Sequence, residues 1–241
     1  YLIAHYNDPT KPSAFIQASN PTLYMACGNT DWADVLMRDY YPQQQYNASV
    51  QGGGENYDYY ASVAYFNQEG MNKIFDENYD RYNIMTNINF DVTKWAKVGV
   101  QLAVNNSYKY YPPNNSAGHH DEYSSPYQYH QWANWPIYAP NGKYFSGGSV
   151  PNMVQFYKDA GYRDRSINDY WMTVNGVLKP VKDLTINMDY SNNIVNQDET
   201  SYWRRLEMYY VDGSVSGYFP YTNPSQVTKY YYKTKYYAFN I

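Results

Sequence analysis

Along RYNIMTNINFDVT, residues 81–93, apolar and polar positions alternate. Tyr82, Ile84, Thr86, Ile88, Phe90 and Val92 fall on one side, and Asn83, Met85, Asn87, Asn89 and Asp91 on the other. A period of two is that of a β-strand. The polar side is a row of amides, where a strand on a soluble core more often turns Lys, Glu and Thr to water, so a polar surface other than bulk solvent is expected there. The same alternation predicts a strand around Tyr46, Ala48 and Val50, opposite Asn47, Ser49 and Gln51. Another spans 57–67, with aromatics on both sides, and a third sets Val98, Val100, Leu102 and Val104 against Gly99, Gln101, Ala103 and Asn105. Order resumes at Tyr170, Met172 and Val174, and then at Leu184, Ile186, Met188 and Tyr190, opposite Asn187, Asp189, Ser191 and Asn193. A last strand ends in Tyr237, Phe239 and Ile241.

The connections alternate as well. GGGEN is short, NQEGMNKIFDENYD long, DVTKWAK short, residues 111–165 long, KPVKD short and residues 194–226 long. A soluble sandwich gives no reason for long and short loops to sort to opposite ends, whereas an outer-membrane barrel has short periplasmic turns and long extracellular loops. The fold class read from the pattern is therefore all-β: an antiparallel transmembrane β-barrel segment of about seven strands with long extracellular loops. Residues 1–44 form a loop before the strands, and 45–241 the barrel strands, with long loops at about 111–165 and 194–226. The face of Ile84, Ile88, Phe90 and Val92 then meets lipid. Asn83, Asn87, Asn89, Gln101, Asn105, Asn187 and Asp189 line the lumen, and Tyr82, Trp95, Tyr108 and Tyr190 stand in interfacial girdles.

Composition sharpens this picture. The chain has 241 residues, 34 of them Tyr, with 20% aromatics and a mean hydropathy of −0.78. Aromatics at that level in a soluble core should bring Leu, Ile and Val with them, so two environments are expected to meet each strand. No run approaches the roughly 18 to 20 apolar residues of a membrane helix, so any crossing is made by strands. A net charge of −4 with a pI near 5.5 gives no basic face for nucleic acid. The chain opens without Met and stops within an apolar alternation, as expected of a piece of a longer protein. The single cysteine, Cys27, is read as a loop thiol.

Little in the chain points to catalysis. There is no G-x-S-x-G, P-loop or H-E-x-x-H pattern. The carboxylate pairs Asp121 with Glu122 and Asp198 with Glu199 are sequence neighbours, which seldom flank one bond as glycosidase acids must. HHDE at 119–122 has the residue types of a metal site but is read as a solvated loop, with no metal and no cofactor expected. Acid–base neighbours, such as Asp164 with Arg163 and Arg165 or Glu199 near Arg204 and Arg205, are read as loop salt bridges. In the 111–165 excursion Trp132, Trp135, Tyr138 and Tyr144, with Phe145, are candidates to stack on a solute or hold a lid protein, or else to pack the loop on itself.

NTDWADVLMRD (29–39), QYNASVQGGGENYDYYASVAYFNQEGM (45–71) and YDRYNIMTNINFDVTKWAKVGVQLAVN (79–105) together resemble the SusC/RagA-type TonB-dependent outer-membrane transporters. Beyond residue 105 the likeness rests on strand and loop rhythm. The resemblance implies a barrel of about 22 strands closed by an N-terminal plug that lies outside this chain. It implies import of oligosaccharides or peptides, with a SusD-like lipoprotein as lid and a TonB complex as partner. It also makes residues 1–44 an extracellular loop. A soluble carbohydrate-binding β-domain is the alternative. In that case the apolar faces of 82–92 and 184–190 meet in one core, whereas in a barrel wall they point outward.

Overall fold

The computed structural model describes residue 8 and residues 10–113, 131–147 and 151–241. Seven long strands form one antiparallel sheet in the spatial order β11-β8-β7-β6-β5-β4-β3. They are β3 (Gln43–Gly53), β4 (Tyr57–Glu69), β5 (Asn78–Thr93), β6 (Ala96–Tyr111), β7 (Gly161–Val181), β8 (Leu184–Trp203) and β11 (Gln226–Asn240). The segment before β3 contributes one hairpin, β1 (Ala14–Gln17) with β2 (Asn20–Ala26), and the connection from β8 to β11 another, β9 (Glu207–Tyr209) with β10 (Val215–Tyr218). The segment before β3 also holds the short helix α1 (Trp32–Leu36), and the connection from β6 to β7 holds α2 (Met153–Asp159). No helix among the described residues is long and apolar enough to cross a membrane, which says nothing of strands.

Register carries the sequence alternation across the whole sheet. Val63 pairs with Ile84, Ile84 with Val104, Val104 with Tyr170 and Tyr170 with Ile194. Because the side-chain period is two, a shared register keeps all these residues on one face. Ile84 is 53% exposed, Phe90 50% and Leu102 46%, and Val98 and Leu184 are exposed too. Ile88, Val100, Ile186 and Met188 are half-buried. The faces of 82–92 and 184–190 thus lie on the same side of one sheet, and neither packs into a core. Tyr82, Trp95, Tyr108 and Tyr190 are likewise exposed.

The turns 54–56, 94–95 and 182–183 close one end of the sheet, and the connections 70–77, 112–160 and 204–225 leave from the other. The strands run further into the excursions than their sequence suggests, since β7 opens at Gly161 and β8 continues to Trp203. In GYRDRSIND and VNQDETSYW polar residues occupy both faces, so alternation gives no signal there.

The packed core lies beyond the strands, where the long connections meet. Trp32 and Leu36 of α1, Phe75 of the 70–77 turn, Met153, Val154, Phe156 and Tyr157 of α2, and Leu206 and Phe219 form one buried cluster. A second holds Ala14, Ala139 and Phe145, and Trp135 packs against both. We call this assembly the loop cap. Its short helices are capped at their N-termini, which satisfies backbone N–H groups left without intrahelical partners. Asp31 Oδ1 accepts from Ala33 N and Asp34 N at 3.0 and 3.1 Å. Asn152 Oδ1 accepts from Val154 N at 3.0 Å, while its Nδ2 donates to the carbonyls of Ile137 and Phe145 at 2.9 and 3.2 Å.

Candidate functional site

Two surfaces have the makings of a site: the amide face of the sheet and a pocket in the loop cap. On the sheet, strand pairing assembles the seven amide-face residues read from the sequence. Asn83 pairs with Asn105 and Asn87 with Gln101. Asn89 pairs with Gly99, Gly99 with Asn175, and Asn175 with Asp189. Asn187 lies on the same face, paired with Val177. The row through Gly99 continues to Asp58 on β4 and Asn240 on β11, so it crosses six strands with polar or glycine positions only.

Side chains on this face bind one another from strand to strand. Asn89 Nδ2 donates to Asp58 Oδ2 at 2.7 Å, and Lys97 Nζ lies 3.4 Å from Asp58 Oδ1. Asn240 Nδ2 donates to Asp189 Oδ2 at 2.8 Å. Thr173 Oγ1 and Ser191 Oγ are 3.0 Å apart. Gly99 is where the row needs no side chain: a Cβ there would lie 2.4 Å from the Oδ1 atoms of both Asn89 and Asn175, which lean over it from the flanking strands. Amides supply donors and acceptors alike, so the face can hydrate a polar solute or satisfy a polar body lying against it.

Toward the loop cap the same face becomes charged. Arg163 donates to Glu199, and Arg165 Nε donates to its other oxygen at 3.1 Å. Arg163 and Glu199 are 6% and 7% exposed, so the pair is out of bulk water. The Tyr111 ring lies beneath both guanidinium groups, 4.9 Å from that of Arg163, and its hydroxyl accepts from Arg165 at 3.1 Å. The partners of Glu199 are thus Arg163 and Arg165 across the strand pair, in place of the sequence neighbours Arg204 and Arg205, because β8 extends through residue 199 and turns its carboxylate toward β7.

The loop-cap pocket has a volume of about 560 Å³. Its walls come from three excursions: Tyr24 and Met25 of β2, Trp132, Trp135, Tyr144 and Phe145 of the 131–147 segment, and Met208 and Tyr209 of β9. Four of the five aromatics singled out in the sequence, Trp132, Trp135, Tyr144 and Phe145, therefore share one pocket. Tyr138 lies outside its lining and stacks on Tyr144, with ring centroids 5.1 Å apart. Trp132 is 62% exposed and sits 6.1 Å from Trp135, which contacts Phe145 at 5.7 Å. Trp135 thus packs the loop on itself, whereas the Trp132 ring is left exposed.

Residues 28–32 hold this aromatic wall in place. Gly28 N donates to Asn134 O at 2.8 Å, Thr30 N to Ala133 O at 2.7 Å, and Thr30 Oγ1 to Trp135 O at 2.7 Å. Burial pushes the Tyr144 hydroxyl up to about 12, with Tyr138 adding to the effect, and burial together with the Glu207 carboxylate does the same for Tyr209. Both phenols are therefore hydrogen-bond donors at neutral pH. The walls given by Tyr24, Met25, Met208 and Tyr209 had no visible sequence signal, since their segments pair as hairpins within stretches that read as irregular. The HHDE cluster at 119–122 lies outside the described residues.

Comparison with known proteins agrees with the resemblance in the sequence. No family model matches the chain. TonB-dependent receptor P3 of Formosa agariphila is 30% identical over 110 residues, 42% of this chain and 10% of that protein. TonB-dependent receptor P26 of the same organism is 38% identical over 82 residues, 33% of this chain and 8% of that protein. The chain thus spans about a tenth or less of the curated relatives it matches. In fold it is similar to the RagAB peptide importer. Against the closed-closed state the TM-score is 0.55 at 23% identity, covering 76% of this chain and 21% of the other. Against the open-open state the TM-score is 0.55 at 22% identity, covering 83% and 22%. By sequence motif and by fold, the chain resembles a section of a SusC/RagA-type TonB-dependent transporter.

Proposed function

We propose that this chain is a section of the barrel wall of a TonB-dependent outer-membrane importer that takes up oligosaccharides or peptides. The observation that carries the reading is the two-faced sheet. One continuous face is apolar and unpacked, the other is a field of amides, and the tight turns lie opposite the loop cap. In a barrel whose strands tilt about 40°, the ten steps from Tyr82 to Val92 rise about 25 Å, the height of an outer-membrane apolar band. The rings of Tyr46, Tyr65 and Tyr82 form a ladder at one margin of that band, with centroids 6.4 and 4.8 Å apart. The apolar face meets lipid, and the tight turns face the periplasm.

In this reading Asn83, Asn87, Asn89, Gln101, Asn105, Asn187 and Asp189 line a lumen, either as a solute path or as the wall against a plug. A lumen of that size needs many more strands than these seven, about 22 in all, with the plug and the TonB-contacting segment elsewhere in the protein. The loop cap faces the cell exterior. Its pocket, about 560 Å³, is within the size range of small-molecule sites, and Trp132, Trp135 and Tyr144 offer stacking surfaces to a sugar ring, a peptide side chain or a SusD-like lid.

The test is growth and uptake on defined glycans and peptides in a strain lacking this gene, with and without its neighbouring lipoprotein gene. Loss of one nutrient class on deletion, restored by the intact gene, is the expected result. Unchanged uptake of every nutrient overturns the importer assignment.

A further inference from the structure

Charge is distributed over the seven strands in an unusual way. Arg81, Lys97, Lys109, Arg163 and Arg165 all fall in rows of the amide face, and the paired rows of the apolar face on β3 to β8 hold no Lys or Arg. β11 reverses this. Its apolar-face positions are Val227, Lys229, Tyr231, Lys233, Lys235, Tyr237 and Phe239, whereas its amide-face positions, Thr228, Tyr230, Tyr232, Thr234, Tyr236, Ala238 and Asn240, carry no charge.

The three lysines are exposed, and no ion pair among the described residues includes them. Their height follows from register. Lys235 pairs with Ile194, which pairs with Tyr170 in the last apolar row before the loop cap. Lys233 continues the row of Asn196 and Asn168, and Lys229 that of Thr200 and Asp164. The stripe therefore begins where the apolar band ends and climbs toward the cap. Two carboxylates share this side of the sheet nearby, Asp198 opposite Tyr231 and Asp164 one strand further, and they leave the lysines in excess.

A lysine at such a margin can lay its stem along the apolar surface and raise its ammonium to headgroup level. Tyr231 between the lysines and Tyr237 just beyond Lys235 suit the same interface, with an apolar ring and a polar tip. Resting on the barrel reading, we propose that Lys229, Lys233 and Lys235 form a binding stripe on the lipid-facing wall for the phosphate groups of anionic lipid in the outer leaflet. Charge complementarity supports this occupant: three cations about 6 to 7 Å apart or more along one strand match a headgroup that carries more than one phosphate.

The experiment uses the full-length protein, purified in detergent and exposed to lipid A with its two phosphates or to the same lipid dephosphorylated. Bound lipid is counted by native mass spectrometry. Each lysine is worth about a five-fold preference, so the variant Lys229→Gln/Lys233→Gln/Lys235→Gln should retain the phosphorylated lipid on the order of 100-fold less. Lys97→Gln, on the amide face, should retain it as the wild type does, and the dephosphorylated lipid should not distinguish the proteins. Equal retention by the triple variant overturns the inference, as does equal binding of both lipids by the wild type. A variant that keeps its lipid but changes oligomeric state also overturns it, assigning the stripe to a protein contact. Heat-modifiable migration on gels, read on the same samples, tests the barrel itself. Its absence in the wild type defeats the barrel reading and this inference together, whereas its presence with unchanged lipid retention defeats this inference alone.

Discussion

The indole N–H of Trp32 donates to the backbone carbonyl of Trp132 at 3.1 Å, joining two excursions a hundred residues apart. Trp32 opens α1 and is buried against α2, so the NTDW motif acts as a clamp: Asp31 caps the helix, Thr30 and Trp32 grip the 132–135 backbone, and the Trp132 ring is left outside. Trp32→Ala should remove both the bond and the buried ring, a loss of about 3 to 5 kcal/mol confined to the loop cap. Hydrogen exchange should show faster exchange at 28–37 and 131–147, with β5 to β8 unchanged. Uniform acceleration through the strands would refute a separate cap. Trp32→Phe should lose chiefly the hydrogen bond, about 1 kcal/mol.

Gly99 and Gly176 lie on adjacent strands but face opposite sides. A Cβ at Gly99 runs into the Asn89 and Asn175 carbonyl oxygens, whereas one at Gly176 meets only the Met188 Cε, at 3.8 Å. Gly99→Val should therefore displace the amide row at a cost of about 1 to 3 kcal/mol, while Gly176→Ala is nearly neutral. Denaturant midpoints of the folded protein read the difference. Equal midpoints would show that the amides move aside freely and that the row is not a fixed surface.

Asn87 and Ile88 are neighbours in β5 on opposite faces, near the middle of the band between Tyr82 and Val92. A lysine facing lipid at mid-membrane depth costs about 2 to 4 kcal/mol, and one facing a lumen costs little. Ile88→Lys should lower the amount of folded protein in the outer membrane, and Asn87→Lys should leave it near wild type. The reverse order would mean that the faces are exchanged.

The strands and their two faces were legible in the sequence because the pairing keeps a strict contrast across the sheet, apolar on one side and hydrogen-bonding on the other. Leu184 to Tyr190 and Tyr82 to Val92 show it without ambiguity. Legibility fails where that contrast fails. Residues 161–169 and 194–203 are strand, yet polar on both sides, so their length was hidden. The pocket was half visible: Trp132, Trp135 and Tyr144 stand out as aromatics in a long loop, whereas Tyr24 and Tyr209 reach it through contacts between distant excursions. No local periodicity encodes such contacts. Likewise the bond from Trp32 to Trp132 gives the NTDW motif a physical role that its spelling did not reveal.

Alkali offers a separate handle on the cap, because Tyr144 and Tyr209 are both pushed up to about 12, each chiefly by burial. In the unfolded chain a tyrosine ionises near 10. Below that value both states are protonated and the contribution of these groups to stability is intact. Between about 10 and 12 the unfolded chain loses its protons while the folded cap keeps them, so stability falls as pH rises through this window. The cap should hold to about pH 10 and then loosen before pH 12, with the 131–147 segment becoming sensitive to protease. Tyr144→Phe/Tyr209→Phe lacks both ionisations and should resist further into alkali, a shift read as a higher pH of half-cleavage. Both rings are only partly shielded from water, so the change is set by its direction, and an unchanged midpoint in the double variant would show that other groups govern the alkaline opening.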